Sequence, residues 1–187
     1  MKKKRIVTFI QLLLFLSGSF IIAKPLYKIG SLKYREMRIQ KIKQKWKQYD
    51  QDTLSFVYWL EIPAVNISYP ILMEPDRINL DKYPCLKFLD PQKKQNGMKT
   101  ITAHRDMHFY NLKMLNDSDH IFLEKQNGEK KEYQILEIEI LPTEIAERKL
   151  MEKKDEDWLI LMTCYPFHFI GPAPERFVVW AKEIERG

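Results

Sequence analysis

Two cysteines, four histidines and an arginine near the C-terminus are the residues of this sequence best suited to covalent chemistry without a cofactor. Cys164 stands at the end of an apolar run that begins at Trp158, and Arg176 stands just ahead of a second run, Phe177 to Ala181. Both runs are short and rich in β-branched and aromatic residues, which predicts strands. Between them Pro166, Gly171, Pro172 and Pro174 cannot continue either strand and predict a connecting loop. If the two strands pair, a polarisable nucleophile and a permanent cation lie side by side at one sheet edge. A cation beside a cysteine favours the thiolate, which is the reactive form. An acid–base partner is also needed, and His104, His108, His120 and His168 are the candidates. His168 is near Cys164 in sequence but falls in the loop. Met98 to Thr102 reads as a short strand that runs out into Ala103-His104-Arg105, so a sheet could carry His104 to the same rim. Spacing alone leaves both open.

The elements that must position these groups read as β from Asp52 onward. Phe56 to Ile62 reads as a strand stopped by Pro63. Val65 to Leu72 alternates, with Val65, Ile67, Tyr69 and Ile71 on one face, and Pro70 suggests an edge or a bend. Glu74 to Asp90 is indistinct and punctuated by Pro75 and Pro84. Phe109, Leu112 and Leu115 have helical spacing. Ile121 to Lys125 and Lys131 to Leu141 flank Asn127-Gly128, a strong hairpin signal. Pro142 to Asp157 is charged and predicts a loop or a short helix. Many short strands with little helix between them predict an all-β barrel or sandwich. The two cysteines could instead be bridged, since an extracytoplasmic pair invites a disulfide. No cluster has zinc-like ligand spacing, and no metal or other cofactor is expected.

Length and charge divide the chain further. At 187 residues with 45% hydrophobic content there is room for one ordinary domain and an appendage. Up to Asp52 there are 13 Lys and Arg against 3 acidic residues, whereas the remainder carries 18 against 22. The net charge of +6 therefore belongs to the N-terminal quarter, which argues against a nucleic-acid-binding domain. MKKKR precedes Ile6 to Ala23, 18 residues without a charge. As a helix these span roughly 27 Å, close to a bilayer's hydrocarbon thickness of about 30 Å. The basic tip predicts a cytoplasmic N-terminus and a retained signal-anchor over residues 1–23. The rival is a cleaved signal peptide, for which Ser17-Gly18-Ser19 has the small-x-small form, although the apolar run resumes at Phe20. Both place the domain outside the cytoplasm. Residues 24–54 predict a basic amphipathic linker helix, with Leu32, Ile39, Ile42, Trp46 and Tyr49 on one stripe. That stripe fits either an anionic membrane surface or the face of the following domain, residues 55–187.

Two segments carry a family resemblance. ITAHRDMHFYNLKML resembles the part of sortases that bears the active-site histidine, and LILMTCYPFHFIGPAPERFVVWA resembles the part that bears the cysteine and arginine, in the class D form. Ile62-Pro63 ahead of an alternating strand and the strand entry Asp119-His120-Ile121 follow the same order. The likeness runs from about Ser55 to Ile184. It departs at Ala103, where the family usually has Gly before the His, and at Asn116 to Asp119, which replaces a Gly-Asp turn. The resemblance implies an eight-stranded sortase-like β-barrel and a membrane-anchored cysteine transpeptidase, with His104, Cys164 and Arg176 as its catalytic residues. It implies secreted protein substrates with a C-terminal LPxTG-like sorting signal, and an amine acceptor such as a cell-wall precursor or a pilin lysine. A cysteine hydrolase of the same fold and a non-catalytic membrane-tethered barrel that binds partners are the other readings.

Overall fold

The computed structural model describes residues 34, 37–47, 56–88, 97–153 and 157–184. The expected membrane anchor over residues 6–23 lies outside them, as does most of the expected linker; among the described residues no helix is long and apolar enough to cross a membrane. Residues 37–47 are helical (α1), and two compact units divide inside this helix, at Ile42/Lys43. From Lys43 onward the helix belongs to the second unit. There Trp46 is buried against Trp59, with ring centroids 5.6 Å apart. Lys43 bridges Glu61 (2.8 Å) and Glu124 (2.5 Å), and Lys47 also reaches Glu124 (2.9 Å).

Eight strands follow: β1 (Phe56–Ile62), β2 (Ile67–Met73), β3 (Cys85–Phe88), β4 (Lys99–Thr102), β5 (His120–Glu124), β6 (Lys130–Pro142), β7 (Leu159–Tyr165) and β8 (Glu175–Glu183). They close into a barrel in the order β1-β2-β3-β4-β7-β8-β6-β5, so the fold is the expected all-β, eight-stranded barrel. Most neighbours are antiparallel, but β2–β3 and β4–β7 are parallel. A short helix, α2 (Arg77–Leu80), lies between β2 and β3, with the Asp76 side chain capping its N-terminus through the Asn79 amide at 2.6 Å. A longer one, α3 (Thr143–Glu152), separates β6 from β7.

The expected strands formed for the reasons that made them visible. Phe56 to Ile62 is β1 as drawn, and Pro63 opens a 3-10 turn at its end. That turn takes Val65, so β2 begins two residues later than its alternation predicts, after Asn66 in the left-handed region (φ 56°). Pro70 faces Trp59 on one side, and β3 joins the other side only from Leu72, so the missing N–H breaks no ladder. Asn127-Gly128 turns β5 into β6, with Gly128 at φ +89°. The Phe109, Leu112 and Leu115 set is buried around a 3-10 helix, Tyr110–Met114.

β7 and β8 read as unbroken apolar runs because both of their faces are covered. Leu159, Leu161, Phe177, Val179 and Ala181 point into the barrel core. Ile160, Val178 and Trp180 point outward under Ala146 and Leu150 of α3. With period-2 alternation, Ile160, Met162 and Cys164 share the outer face of β7, as Arg176, Val178 and Trp180 share that of β8.

Candidate active site

Cys164 and Arg176 are directly opposite each other across the antiparallel β7–β8 ladder. Side chains so paired stand on one face with Cβ atoms about 5 Å apart. On the other side β4 runs parallel to β7, with Ile101 opposite Leu161 and Thr102 opposite Met162. His104 follows Thr102 by two residues, as Cys164 follows Met162, so the register brings the two residues level with each other at the same end of the two strands. The Thr163 hydroxyl locks this junction: it is buried and donates to the Ala103 carbonyl at 2.7 Å, one residue before both His104 and Cys164. The three residues expected to act together thus lie at one end of the barrel, Cys164 on β7, Arg176 on β8 and His104 two residues past the end of β4.

The surroundings of each differ. Cys164 is half-buried and free. The Arg176 guanidinium uses Nη1 to donate to the carbonyls of Ala173 (3.2 Å) and Glu175 (3.0 Å). This fixes the fork against the end of the connecting loop. His104 is partly exposed, and its Nε2 lies 3.1 Å from the Asp81 carboxylate, at the end of α2.

The rival histidines are held elsewhere. His168 lies 3.2 Å from the Tyr110 hydroxyl, with their rings edge to face. His108 packs edge-on against Tyr69 (4.8 Å) and stacks near Tyr83 (6.5 Å). Burial, together with the neighbouring His104, pushes its pKa down. His120 is on β5, three strands from β7 around the barrel, and pairs with Glu132 at 2.6 Å. Cys85 is fully buried in β3 opposite Thr102, and its thiol points to the Tyr83 carbonyl at 3.4 Å. Burial, reinforced by Asp76, pushes that thiol up to about 11. Both cysteines are free thiols, so the bridged pair does not form.

Three features of the site were absent from the sequence reading. Asp81 sits in the segment that had no discernible pattern, and nothing in its spacing ties it to a histidine 23 residues on. Thr163 precedes the cysteine, but its bond to Ala103 spans 60 residues. Arg105 reaches across to the loop after β7, where Nη2 donates to the carbonyls of Phe169 (2.8 Å) and Gly171 (3.3 Å). Among the described residues no group of three or more His, Cys, Asp or Glu is placed to hold a metal ion.

Comparison with known proteins bears on the family and the fold. The Sortase domain family model matches residues 60–184, two thirds of the chain. Sortase D of Bacillus subtilis (strain 168) is 32% identical over 135 residues, covering 67% of this chain and 62% of that protein. The chain therefore matches less than two thirds of that relative's length. Among solved structures, sortase A from Corynebacterium diphtheriae superposes with a TM-score of 0.59 at 22% identity, over 72% of this chain and 63% of that one. Sortase C-1 from Actinomyces oris gives 0.60 at 19% identity, over 76% and 79%. At those identities the structures speak for the fold alone. The fold, the family match and the class D relative together make this chain a member of the sortase family, similar to the class D type.

Proposed function

We propose that the protein is a cysteine transpeptidase in which Cys164, His104 and Arg176 do the chemistry. The observation that carries this reading is the register that sets Cys164 opposite Arg176 and pairs Thr102 with Met162, two residues ahead of His104 and of Cys164 respectively. Its substrate is a secreted protein with a C-terminal LPxTG-like sorting signal. The Cys164 thiolate attacks the scissile carbonyl carbon, forming the C–S bond and an oxyanion. The Arg176 guanidinium faces that oxyanion, a contribution worth about 3–4 kcal/mol where a single donor is concerned. His104, as imidazolium, gives its proton to the departing amine as the C–N bond breaks, leaving a thioester on Cys164. The acceptor amine then loses its proton to His104 and attacks the thioester, and the thiolate returns. The acceptor is a cell-wall precursor or a pilin lysine.

The enzyme works from the membrane. Residues 6–23 supply the apolar length for a single pass, the MKKKR tip stays in the cytoplasm and the barrel lies outside. Residues 24–54 are the linker and 55–187 the catalytic barrel.

The full chain incubated with a sorting-signal peptide and hydroxylamine tests the reaction type. Faster turnover with hydroxamate as product supports transfer to an amine. Cleavage whose rate and products ignore the amine indicates a hydrolase of the same fold. No cleavage by wild type across such peptides indicates a binding module.

A further inference from the structure

Ile170 sits at the tip of the loop between β7 and β8 and is 99% exposed, while its neighbour Phe169 is 45% exposed. An isoleucine in water gains nothing for the fold. Yet the backbone on both sides of it is gripped by a charged group. Arg105 Nη2 donates to the Phe169 carbonyl at 2.8 Å and to the Gly171 carbonyl at 3.3 Å, and the guanidinium lies 5.7 Å from the Phe169 ring. Gly171 takes φ +101°, which a β-branched side chain would resist, so the chain turns back just after the gripped residue. Arg105 follows His104 directly, and the loop starts two residues after Cys164 and ends two before Arg176. The loop's flanks have their own anchors, Tyr110 on His168 and Thr143 on the Pro174 carbonyl (3.1 Å). Only the grip of Arg105 bears on the tip among the described contacts. Charge-assisted hydrogen bonds to two carbonyls flanking one residue fix that residue's direction.

We infer that Arg105 is a positioning residue that presents Ile170 as an apolar contact for the polypeptide substrate beside Cys164. The inference rests on the transpeptidase reading for its substrate, but the grip itself does not. Releasing it lets the tip sample other conformations, and a site populated only in part weakens apparent binding by that fraction. The loss therefore falls on KM rather than on kcat. Ile170→Ser removes the contact itself without touching the core.

The experiment uses the full chain with Arg105→Met, Arg105→Lys, Ile170→Ser and the Arg105→Met/Ile170→Ser double variant. The readouts are kcat and KM with a sorting-signal peptide, and amide hydrogen exchange over residues 166–174. Ile170→Ser raises KM about ten-fold with kcat within about two-fold. Arg105→Met does the same and speeds exchange at the loop tip. The double variant is no worse than either single one, because both remove the same contact. Arg105→Lys, which keeps the charge but not the fork, falls between wild type and Arg105→Met. Additive losses, an unchanged KM in Ile170→Ser, or unchanged exchange in Arg105→Met would overturn the inference. If Arg105→Met does not fold, a KM in Arg105→Lys equal to wild type overturns it. If wild type turns over no sorting peptide, the function reading fails, while exchange still decides whether Arg105 holds the tip.

Discussion

Replacing Arg176 by lysine is the perturbation whose outcome follows most directly from the geometry. Arg176 has two tasks at once. Its Nη1 donates to the carbonyls of Ala173 and Glu175, and in the proposed mechanism its remaining N–H groups serve the oxyanion formed at Cys164, the residue opposite it in the ladder. A planar fork can do both because its donors diverge from one carbon, whereas an ammonium offers a single point charge on a flexible stem. Lysine either satisfies the loop carbonyls and withdraws from the reacting carbonyl, or faces the sulfur and releases the loop. Losing one preorganised donor to an oxyanion costs about 3–4 kcal/mol, or 10²–10³-fold in kcat. The charge remains, so the fold is kept and the melting temperature shifts by no more than about 3 °C. The assay is a fluorogenic sorting-signal peptide with kcat and KM resolved, alongside a thermal melt. A kcat within about three-fold of wild type, in a lysine variant that melts like the parent, would falsify the role given to Arg176.

Further outcomes concern the thiols and the ion pairs of Lys43. Iodoacetamide at pH 7.5 alkylates Cys164 and spares Cys85, which is fully buried with its thiol pushed up to about 11; peptide mapping checks this, and labelling at Cys85 in folded protein would contradict it. The same shift has a sign: from about pH 9 to 11 the unfolded chain sheds the Cys85 proton and the folded one holds it, so stability falls over that window, and Cys85→Ala removes this part of the alkaline loss. Lys43→Ala leaves Glu124 with Lys47 and Glu61 with Lys130, and costs about 2 kcal/mol, or roughly 5 °C in melting temperature at pH 7. Burial pushes both carboxyls up, but the Lys43 ammonium, with those of Lys47 and Lys130, more than reverses this, so both lie below the usual carboxylate range. Their contribution is present above about pH 4.5 and is lost as pH falls through their lower folded values, so the gap between wild type and Lys43→Ala closes in acid. A gap that widens below pH 4 would contradict the pairing.

What the sequence disclosed depended on how local the determining contacts are. β1, the β5–β6 hairpin and the cores of β7 and β8 were legible, since alternation, a turn dipeptide and a doubly covered strand each leave a mark within ten residues. β3 was not legible. Its four residues, Cys85 to Phe88, carry no periodicity and are strand only because Met73 and Thr102 flank them in the sheet. Charged α3 was drawn only loosely, because just Ala146 and Leu150 are buried on it. At the site, the two apolar runs already implied that Cys164 and Arg176 would be neighbours. Spacing left His104 and His168 both open and only the family resemblance pointed to His104, because the parallel β4–β7 pairing joins residues some 60 apart and leaves no local trace. Asp81 and the reach of Arg105 to Phe169 were hidden for the same reason.

The central claim is that Cys164 carries the acyl group, and intact-protein mass spectrometry of a quenched reaction tests it most directly. With a sorting-signal peptide and no added amine, wild type gains the mass of the peptide's N-terminal fragment less water relative to that fragment's free acid. Fragmentation assigns the addition to the Cys164 peptide, it disappears on adding hydroxylamine, and Cys164→Ala neither forms it nor cleaves. An adduct on any other residue, or undiminished cleavage by purified Cys164→Ala, would contradict the account.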